Sequence, residues 1–238
     1  MIEVDVPSAI KGFGNRLVTK LDKLLGSDFL DTPYFKRAMT HRSASGKHNE
    51  RMEFLGDSVL GLVISNALYR RLPEASEGYL SRLRASLVNE STLADLSTEL
   101  SLGELLNLGT GEVKSGGINR RSILADALEA LIASVYLDQG LEAANRFVLN
   151  LYESRLETLP QEDELKDPKS RLQEYLQSKG YELPKYSLIG ATGDAHKQTF
   201  TAQCHIVGLK IKAQGIATSR RKAEQISAAS AYKKVASL

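Results

Sequence analysis

Hydrophobic residues recur at helical spacing through the first two thirds of the chain. Asp31-Thr32-Pro33 offers a capping side chain followed by an early proline, which is a helix start signal. Apolar positions then repeat every three to four residues in segments that predict helices at 50–72, 77–100, 121–137 and 141–156. Because no segment here alternates like a half-buried strand, we expect an all-helical domain over residues 1–157.

The pattern changes after a polar, acidic stretch at 158–167, which contains Pro160 and predicts a linker. Helical spacing returns at 168–179 and 219–235, with Ser219 as a capping residue. Between these helices, turn residues at 190–194 and Gly208 separate three predicted strands at 185–189, 199–207 and 210–217. We therefore predict an α+β multidomain protein, with a small α-β-β-β-α domain over residues 168–238.

Charge is unevenly divided between these two parts. The net charge is +2, but residues 168–238 hold 12 Lys/Arg and 4 Asp/Glu, a net of +8, whereas residues 1–167 hold 19 and 25, a net of −6. This separation favours a basic module for a polyanion, attached to an acidic module with another task. Chance also produces such imbalances, so charge alone does not decide the function.

Composition indicates the cellular setting. The single cysteine, Cys204, excludes an intramolecular disulfide and a cysteine-built metal site, and it fits a reducing compartment. Residues 1–10 carry Glu3 and Asp5 and do not resemble a signal peptide. The longest strongly apolar stretch, 59–65, is too short to span a bilayer. We expect a cytoplasmic protein without membrane association.

Acidic residues mark one face of each of two predicted helices. Glu50, Glu53 and Asp57 are separated by three and then four residues, so they share a face that becomes apolar one turn later. Asp126 and Glu129 repeat the arrangement on the helix at 121–137. Carboxylates that lead into two core-facing stripes can converge between the helices.

Converging carboxylates repel one another, so at neutral pH they take up protons or bind cations. Oxygen ligands suit a hard ion such as Mg²⁺ or Mn²⁺. One or two such ions polarise a phosphate, lower the pKa of a bound water and neutralise a leaving oxygen. The alternative is that these acids are ordinary solvated residues on two helix surfaces.

Other catalytic chemistries find little support in the sequence. His41 and Ser43 are close together, but no Asp or Glu partner is suggested, so a structural role is the better interpretation. The glycine-rich stretch 109–117 lacks the Gly-Lys-Ser/Thr ending of a phosphate-binding loop and is interpreted as a connection. We expect no small-molecule organic cofactor.

Two segments resemble motifs of a known nuclease family. Asn49-Glu-Arg-Met-Glu-Phe-Leu-Gly-Asp-Ser58 resembles the signature of ribonuclease III, with Met52 where leucine is usual. Leu124-Ala-Asp-Ala-Leu-Glu-Ala130 resembles the family's second acidic motif. Lesser motifs follow in the expected order: Thr40-His-Arg-Ser43, Glu77-Gly-Tyr-Leu-Ser81 and Tyr136-Leu-Asp-Gln-Gly140. The resemblance extends over nearly the whole chain.

The resemblance implies roles for individual residues. Glu129 would be a direct metal ligand, and it shares the catalytic role with Asp57. Glu50 and Glu77 match acidic positions that support the site, with a capping or solvated role as the alternative. Phe54 stands where the family has a dimer contact, and a core position is the alternative. The family's metal-binding carboxylates match four residues: Glu53, Asp57, Asp126 and Glu129.

The resemblance also implies a reaction. Members of the family hydrolyse phosphodiester bonds in double-stranded RNA with a metal-activated water, leaving 5′-phosphate and 3′-hydroxyl ends. In a homodimer each subunit cuts one strand, which gives a short 3′ overhang. The implied cofactor is Mg²⁺, for which Mn²⁺ can substitute, and the implied role is processing of rRNA and mRNA precursors.

Residues 168–238 resemble a double-stranded RNA-binding domain. Such domains span about 16 base pairs, contacting two minor grooves and the phosphates between them. Gln173 and Glu174 resemble the first minor-groove contact, and the loop at 193–196, with His196, resembles the second. Cationic residues at a helix start resemble the phosphate contact, although a solvated charge run is the alternative: Arg220, Arg221 and Lys222.

A non-catalytic RNA-binding protein on the same fold is the alternative function. Such proteins usually lose one or more of the acidic residues, whereas this chain has every one of them. The sequence therefore favours an active endonuclease.

Overall fold

The computed structural model describes residue 21 and residues 24–193 and 198–237. The chain divides between Leu159 and Pro160 into two compact units, called here the first unit and the second unit. Within the described ranges, no helix has both the length and the apolar composition needed to cross a bilayer.

The described part of the first unit is built from helices. A 3-10 turn at Ser27–Asp31 precedes the helix Pro33–Ala38, and Thr32 caps this helix by accepting a hydrogen bond from the Phe35 N–H. The α-helices are α1 (Pro33–Ala38), α2 (Glu50–Arg71), α3 (Glu77–Leu87), α4 (Glu90–Glu99), α5 (Thr110–Lys114), α6 (Arg121–Leu151) and α7 (Glu153–Glu157).

Helices α2 and α6 pack along one another at the centre of this unit, and α1 and α4 also pack on α6. Leu60 and Ile64 of α2, which follow Asp57 on its face, are fully buried, and so is Ala133 of α6, which follows Glu129. The Ser97 hydroxyl of α4 adds a buried hydrogen bond to a carbonyl of α6. The apolar stripes that follow the acidic residues in the sequence therefore do face the core.

The prediction of a single helix at 77–100 is wrong, because the chain forms two helices there. Helix α3 ends at Leu87, and the Asn89 side chain caps α4 by accepting a hydrogen bond from the Thr92 N–H at 2.9 Å. The Asn89 amide also donates to the Ser86 carbonyl at 2.7 Å. Apolar periodicity continues across this short break, so the pattern alone does not reveal it.

The break predicted after residue 137 is a kink rather than a loop. Gly140 has φ 83° and ψ 177°, and α6 continues on either side of it to Leu151. Glycine tolerates this positive φ at little cost, so the helix changes direction without a connecting segment. The stretch 109–117, interpreted above as a connection, contains the short helix α5.

The second unit combines an antiparallel sheet with helices. Strand β2 lies between β1 and β3, and α10 packs on β2, β3 and α9. The predicted fold class, a helical domain followed by a small α-β-β-β-α domain, is confirmed. The elements are α8 (Glu162–Leu165), α9 (Pro168–Ser178), β1 (Lys185–Thr192), β2 (Thr199–Ile206), β3 (Ile211–Ala217) and α10 (Arg220–Ala236).

The core of the second unit fills the space between the sheet and its helices. Its buried residues include Leu172 and Leu176 of α9, Cys204 of β2 and Val235 of α10. A Cβ at Gly215 would lie 2.2 Å from the Ala223 backbone oxygen, so only glycine allows α10 to lie this close to β3.

Two boundaries in the second unit differ from the sequence-based expectation. Strand β1 continues to Thr192, through part of the turn predicted at 190–194, after a bulge between Leu188 and Gly190. Glycine inside a strand marks such a bulge as readily as a turn. The predicted linker contains helix α8, where Gln161 and Glu164 form a reciprocal capping box.

Candidate metal centre and nucleic-acid interface

Helices α2 and α6 come into backbone contact where their acidic residues lie. A Cβ at Gly56 would lie 1.8 Å from the Glu129 backbone oxygen and 2.4 Å from its carbonyl carbon. Any larger residue would separate the helices at this point. Gly56 stands between Glu53 and Asp57 in the sequence, so the close approach brings both of them towards α6.

Three carboxylates meet at this contact. Glu53 of α2 and Asp126 and Glu129 of α6 each offer an oxygen, and these oxygens lie within 4.8 Å of one another. All three side chains are partly buried. We call Glu53, Asp126 and Glu129 the acidic group. It combines residues from both motifs found in the sequence, which the chain separates by more than 70 positions.

Burial and mutual repulsion disfavour negative charge in the acidic group. Burial, with added repulsion from Asp57, Glu53 and Asp126, raises the pKa of Glu129 to about 8. Burial is also the main cause that raises the pKa of Glu53, followed by the charge of Asp126. Burial, followed by the charge of Glu90, raises the pKa of Asp126. A bound cation would remove this penalty and hold all three groups ionised.

The chemistry of this donor set fits a hard divalent cation. Carboxylate oxygens from two rigid helices are ligands that Mg²⁺ and Mn²⁺ accept, and partial burial leaves room for water in the coordination shell. The residues that would hold the ion are Glu53, Asp126 and Glu129. Asp57 is exposed at the edge of the group, and its charge acts most strongly on Glu129.

The other acidic residues singled out in the sequence have separate partners. Glu50 is exposed, and its carboxylate lies 3.2 Å from Arg42 Nη1 and 3.8 Å from His48 Nδ1. Glu77 begins α3, where its Oε1 accepts a hydrogen bond from the Ser81 hydroxyl at 2.7 Å. The structure brings Glu50 near Glu53 and does not bring Glu77 into the acidic group.

Phe54 is not a core residue. Its side chain is 78% exposed, on the face of α2 next to the acidic one. Leu62 and Tyr69 on the same side of this helix are 55% and 72% exposed. An apolar surface of this kind on a helix favours contact with a protein partner.

An open cleft of about 780 Å³ extends from the acidic group. The sequence does not reveal this cleft, because the cleft depends on the loop before α2. The backbone N–H of His41 donates a hydrogen bond to the Asn107 carbonyl, and the buried Asn49 side chain donates one to the Ala38 carbonyl. These two hydrogen bonds fix the loop. The cleft mixes acidic and basic side chains, among them His41, Arg42, Glu50, Glu53, Arg120 and Asp126.

In the second unit, the described residues expected to contact RNA lie in the middle of α9 and at the start of α10. Gln173 and Glu174 are exposed on α9, and Glu174 lies 2.8 Å from Lys166 Nζ. Ser219 caps α10 by accepting a hydrogen bond from Lys222 N–H. Three consecutive cations are exposed in the first turn of α10: Arg220, Arg221 and Lys222. His196 lies outside the described residues.

Glu224 links the two helices of the second unit. Its Oε2 lies 2.8 Å from Lys169 Nζ on α9, and its Oε1 accepts a hydrogen bond from Arg220 Nε at 3.0 Å. These cations lower the pKa of Glu224, with Lys169 contributing most. This ion-pair link joins α9 to α10, and the sequence did not reveal it.

Comparison with known families accounts for both units. A family model described as Ribonuclease-III-like matches residues 31–156, and a double-stranded RNA binding motif matches residues 168–235. The first match covers more than half of the chain and contains the whole acidic group. The chain belongs to the ribonuclease III family. It is therefore an endoribonuclease that acts on double-stranded RNA, as the sequence predicted.

Two solved nuclease-domain structures agree with this ribonuclease III assignment. The nuclease domain of ribonuclease III from Campylobacter jejuni is 39% identical, with a TM-score of 0.56 over 59% of this chain and 99% of that one. A second structure of that domain, also 39% identical, has a TM-score of 0.55, and the match covers 60% of this chain and 97% of that chain. Dicer from Pichia stipitis is 26% identical, with a TM-score of 0.45 over 87% and 94%.

Proposed function

We propose that this ribonuclease III hydrolyses RNA phosphodiester bonds with divalent metal ions, Mg²⁺ by preference, held by Glu53, Asp126 and Glu129. The observation that carries this proposal is the meeting of these carboxylates between α2 and α6. Asp57 stands beside them as a fourth acidic residue that acts on Glu129. Mn²⁺ has the same preference for oxygen ligands and is the expected substitute.

The chain's own residues prepare the site for this chemistry. Glu53, Asp126 and Glu129 would hold a divalent cation from two helices that are in backbone contact, so little reorganisation would be needed. When bound, such an ion would lower the pKa of an attacking water and stabilise the charge that develops on the phosphate. Asp57 is exposed, which leaves it free to accept a proton from a water molecule or to bind a further ion.

The proposed products carry 5′-phosphate and 3′-hydroxyl ends. Attack of water on phosphorus with departure of the 3′ oxygen gives these ends, and it needs no nucleophilic side chain. We propose processing of rRNA and mRNA precursors in the cytoplasm, a reducing setting that suits a chain with one cysteine.

We propose that the working form is a homodimer in which Phe54 contacts the partner. The exposed Phe54, Leu62 and Tyr69 on α2 support this arrangement. One of the two Campylobacter jejuni nuclease-domain structures is described as showing structural flexibility in a region involved in dimer formation. Two active centres in such a dimer would cut the two strands separately and leave a short 3′ overhang.

RNA binding is assigned to three surfaces of the second unit. The proposed minor-groove contacts are made by Gln173 and Glu174 on α9 and by His196, which lies outside the described residues. The phosphates between the grooves are assigned to the exposed start of α10, where backbone N–H groups and cations both favour anions: Arg220, Arg221 and Lys222. Glu50 and Glu77 are proposed to support the metal site indirectly.

The proposal is tested by replacing one carboxylate of the acidic group. Glu129→Gln keeps the size of the side chain and removes its charge, so duplex RNA should still bind but remain uncut in Mg²⁺. Glu142→Gln is a matched control, because Glu142 is an exposed carboxylate on the same helix. Cleavage is followed on a denaturing gel, with EDTA lanes to show the metal requirement. Wild-type rates for Glu129→Gln would refute the metal-site assignment, and intact RNA with the wild type would favour a binding protein.

A further inference from the structure

The cleft beside the acidic group also contains three nitrogen-bearing side chains. His41, Arg42 and Arg120 line the cleft in which Glu53 and Asp126 of the acidic group lie. Glu50 and Glu112 line it as well. His41 and Arg42 lie close enough to Asp126 for positive charge on them to offset part of the rise in its pKa that burial and Glu90 cause. Proposed metal ligands and anion-binding side chains therefore occupy one continuous space.

The hydrogen bonds of His41 determine where its proton lies. Its Nδ1 accepts a hydrogen bond from the Ser43 N–H at 3.2 Å and lies 2.8 Å from the Ser43 hydroxyl. The Ser43 hydroxyl in turn accepts a hydrogen bond from the Gly109 N–H at 2.9 Å. Because Nδ1 acts as an acceptor, the proton of the neutral ring is on Nε2. His41 therefore presents an N–H donor beside the acidic group.

Ion pairs hold the two arginines that line the cleft in place. Arg42 Nη1 lies 3.2 Å from Glu50 Oε1, and Arg120 Nη1 lies 2.7 Å from Glu112 Oε1. About half or more of each arginine side chain is still exposed, at 70% for Arg42 and 48% for Arg120. Each guanidinium has five N–H donors, so pairing with one carboxylate leaves donors for a phosphate.

We propose that His41, Arg42 and Arg120 form a phosphate subsite that binds an RNA phosphate next to the scissile one. The inference rests on the proposed metal function, because the acidic group is what places the scissile phosphate at this end of the cleft. His41 donates from Nε2 to a phosphate oxygen, and the remaining N–H donors of the Arg42 and Arg120 guanidinium groups hydrogen-bond to the same phosphate. The subsite fixes the register of the strand at the metal centre, which is a positioning role.

Two substitutions at His41 separate the donor from the loop contact. His41→Asn keeps an acceptor near Nδ1 for the Ser43 N–H but removes the donor in the cleft. His41→Gln reaches towards the Nε2 position with an amide donor. We expect kcat/KM to fall about 10- to 100-fold in His41→Asn, the range for a hydrogen bond to a charged group, and to recover largely in His41→Gln. Melting temperatures report whether either variant disturbs the fold.

A scan of the RNA backbone tests whether the lost contact is to one phosphate. Duplexes that carry a single neutral methylphosphonate at each position near the cut are compared with unmodified duplex. A methylphosphonate at the contacted phosphate should slow cleavage by the wild type. It should not reduce the cleavage rate of His41→Asn below its rate on unmodified duplex. A merely structural role of His41 would give losses that do not depend on this position. His205→Asn, a histidine of β2 outside the cleft, is the control that keeps wild-type rates.

A binding measurement tests the phosphate subsite independently of the proposed cleavage function. Binding titrations of the same duplexes with Ca²⁺ in place of Mg²⁺ repeat the comparison by affinity, without relying on cleavage. Loss of affinity at one phosphate in the wild type but not in His41→Asn supports the subsite. Equal responses of both proteins at every position would overturn it, whether or not the wild type cuts RNA.

Discussion

Glu129 has a strongly raised pKa because of its surroundings in the first unit. Its carboxyl is partly buried beside Asp57, Glu53 and Asp126, which together with burial raise its pKa to about 8. The unfolded chain would hold it near the ordinary value of 4.5. A group whose pKa is raised on folding stabilises the fold below the unfolded value and loses that contribution as the pH rises through the folded one.

Metal-free protein should therefore become less stable between pH 4.5 and pH 8, as Glu129 loses its proton. Calorimetry in EDTA should show a falling melting temperature, by about 2–4 °C for each kcal/mol lost. Glu129→Gln should flatten this fall, because the amide cannot ionise, and Mg²⁺ should reverse it in the wild type. A pH profile identical for the wild type and Glu129→Gln would contradict the raised pKa.

Part of the site was visible at the level of single residues. Spacing along the chain placed Glu53 with Asp57, and Asp126 with Glu129, because helix geometry alone fixes which residues share a face. The distance between the two helices does not follow from spacing, so the contact at Gly56 was missed. His41 was given only a structural role, since its place in the cleft depends on a loop held by distant hydrogen bonds.

At the scale of elements, the close approach of α2 and α6 sets the geometry of the acidic group. Gly56→Ala would place a Cβ 1.8 Å from the Glu129 backbone oxygen, so the helices must separate. We expect a loss of about 1–3 kcal/mol of stability from overpacking. We also expect about a 100-fold loss of cleavage rate, because a shift of roughly 1 Å at a catalytic group has that effect.

Gly61→Ala is the matched control for this prediction. Gly61 lies on the same helix, and a Cβ there would meet nothing within 4 Å in the single chain. Because Gly61 shares the helix face of Phe54, sedimentation equilibrium is used to check that Gly61→Ala does not alter assembly. Alanine should stabilise α2 by about 1 kcal/mol through its higher helix propensity and leave cleavage unchanged. Both proteins are compared by thermal melting and by the rate of duplex cleavage. Full activity in Gly56→Ala would show that the helix contact does not position the carboxylates.

Most elements were predictable because their periodicity is strong, and the errors share a cause. Hydrophobic spacing reports which face is buried but continues through a short interruption. The cap at Asn89 does not change the apolar stripe, so the pattern could not place it. The interruption predicted between residues 137 and 141 coincides with the kink at Gly140, although the pattern did not show that the chain stays helical on both sides of it. The extension of β1 past Gly190 depends on pairing with β2, which is a non-local contact.

At the scale of the whole molecule, assembly is the first question. If Phe54 is buried in a homodimer, Phe54→Ala should raise the dimer dissociation constant at least about 30-fold, as for an aromatic residue that dominates an interface. Sedimentation equilibrium over a range of concentrations measures this directly. Tyr181→Ala removes another exposed aromatic side chain, in the second unit, and should leave assembly unchanged. An unaltered dimer in Phe54→Ala would move the interface elsewhere.

The division of charge between the two units has a measurable effect. Residues 168–238 carry a net charge of +8, and the second unit has a core of its own. Removing residues 160–238 should weaken duplex binding by roughly 100-fold at physiological salt and reduce the salt dependence of what remains, since phosphate contacts are lost. Some cleavage should persist at low salt, because the acidic group lies in the first unit. Equal affinity with and without the segment would disprove this division of labour.

The lone thiol of the chain offers a reporter for one unit only. Cys204 is completely shielded between β2 and its helices, and burial raises the pKa of its thiol. A thiol reagent can modify it only during transient opening of that core. The labelling rate of the native enzyme should therefore track local opening of the second unit, and duplex RNA should slow it if binding rigidifies that unit. No cysteine elsewhere in the chain would obscure the signal.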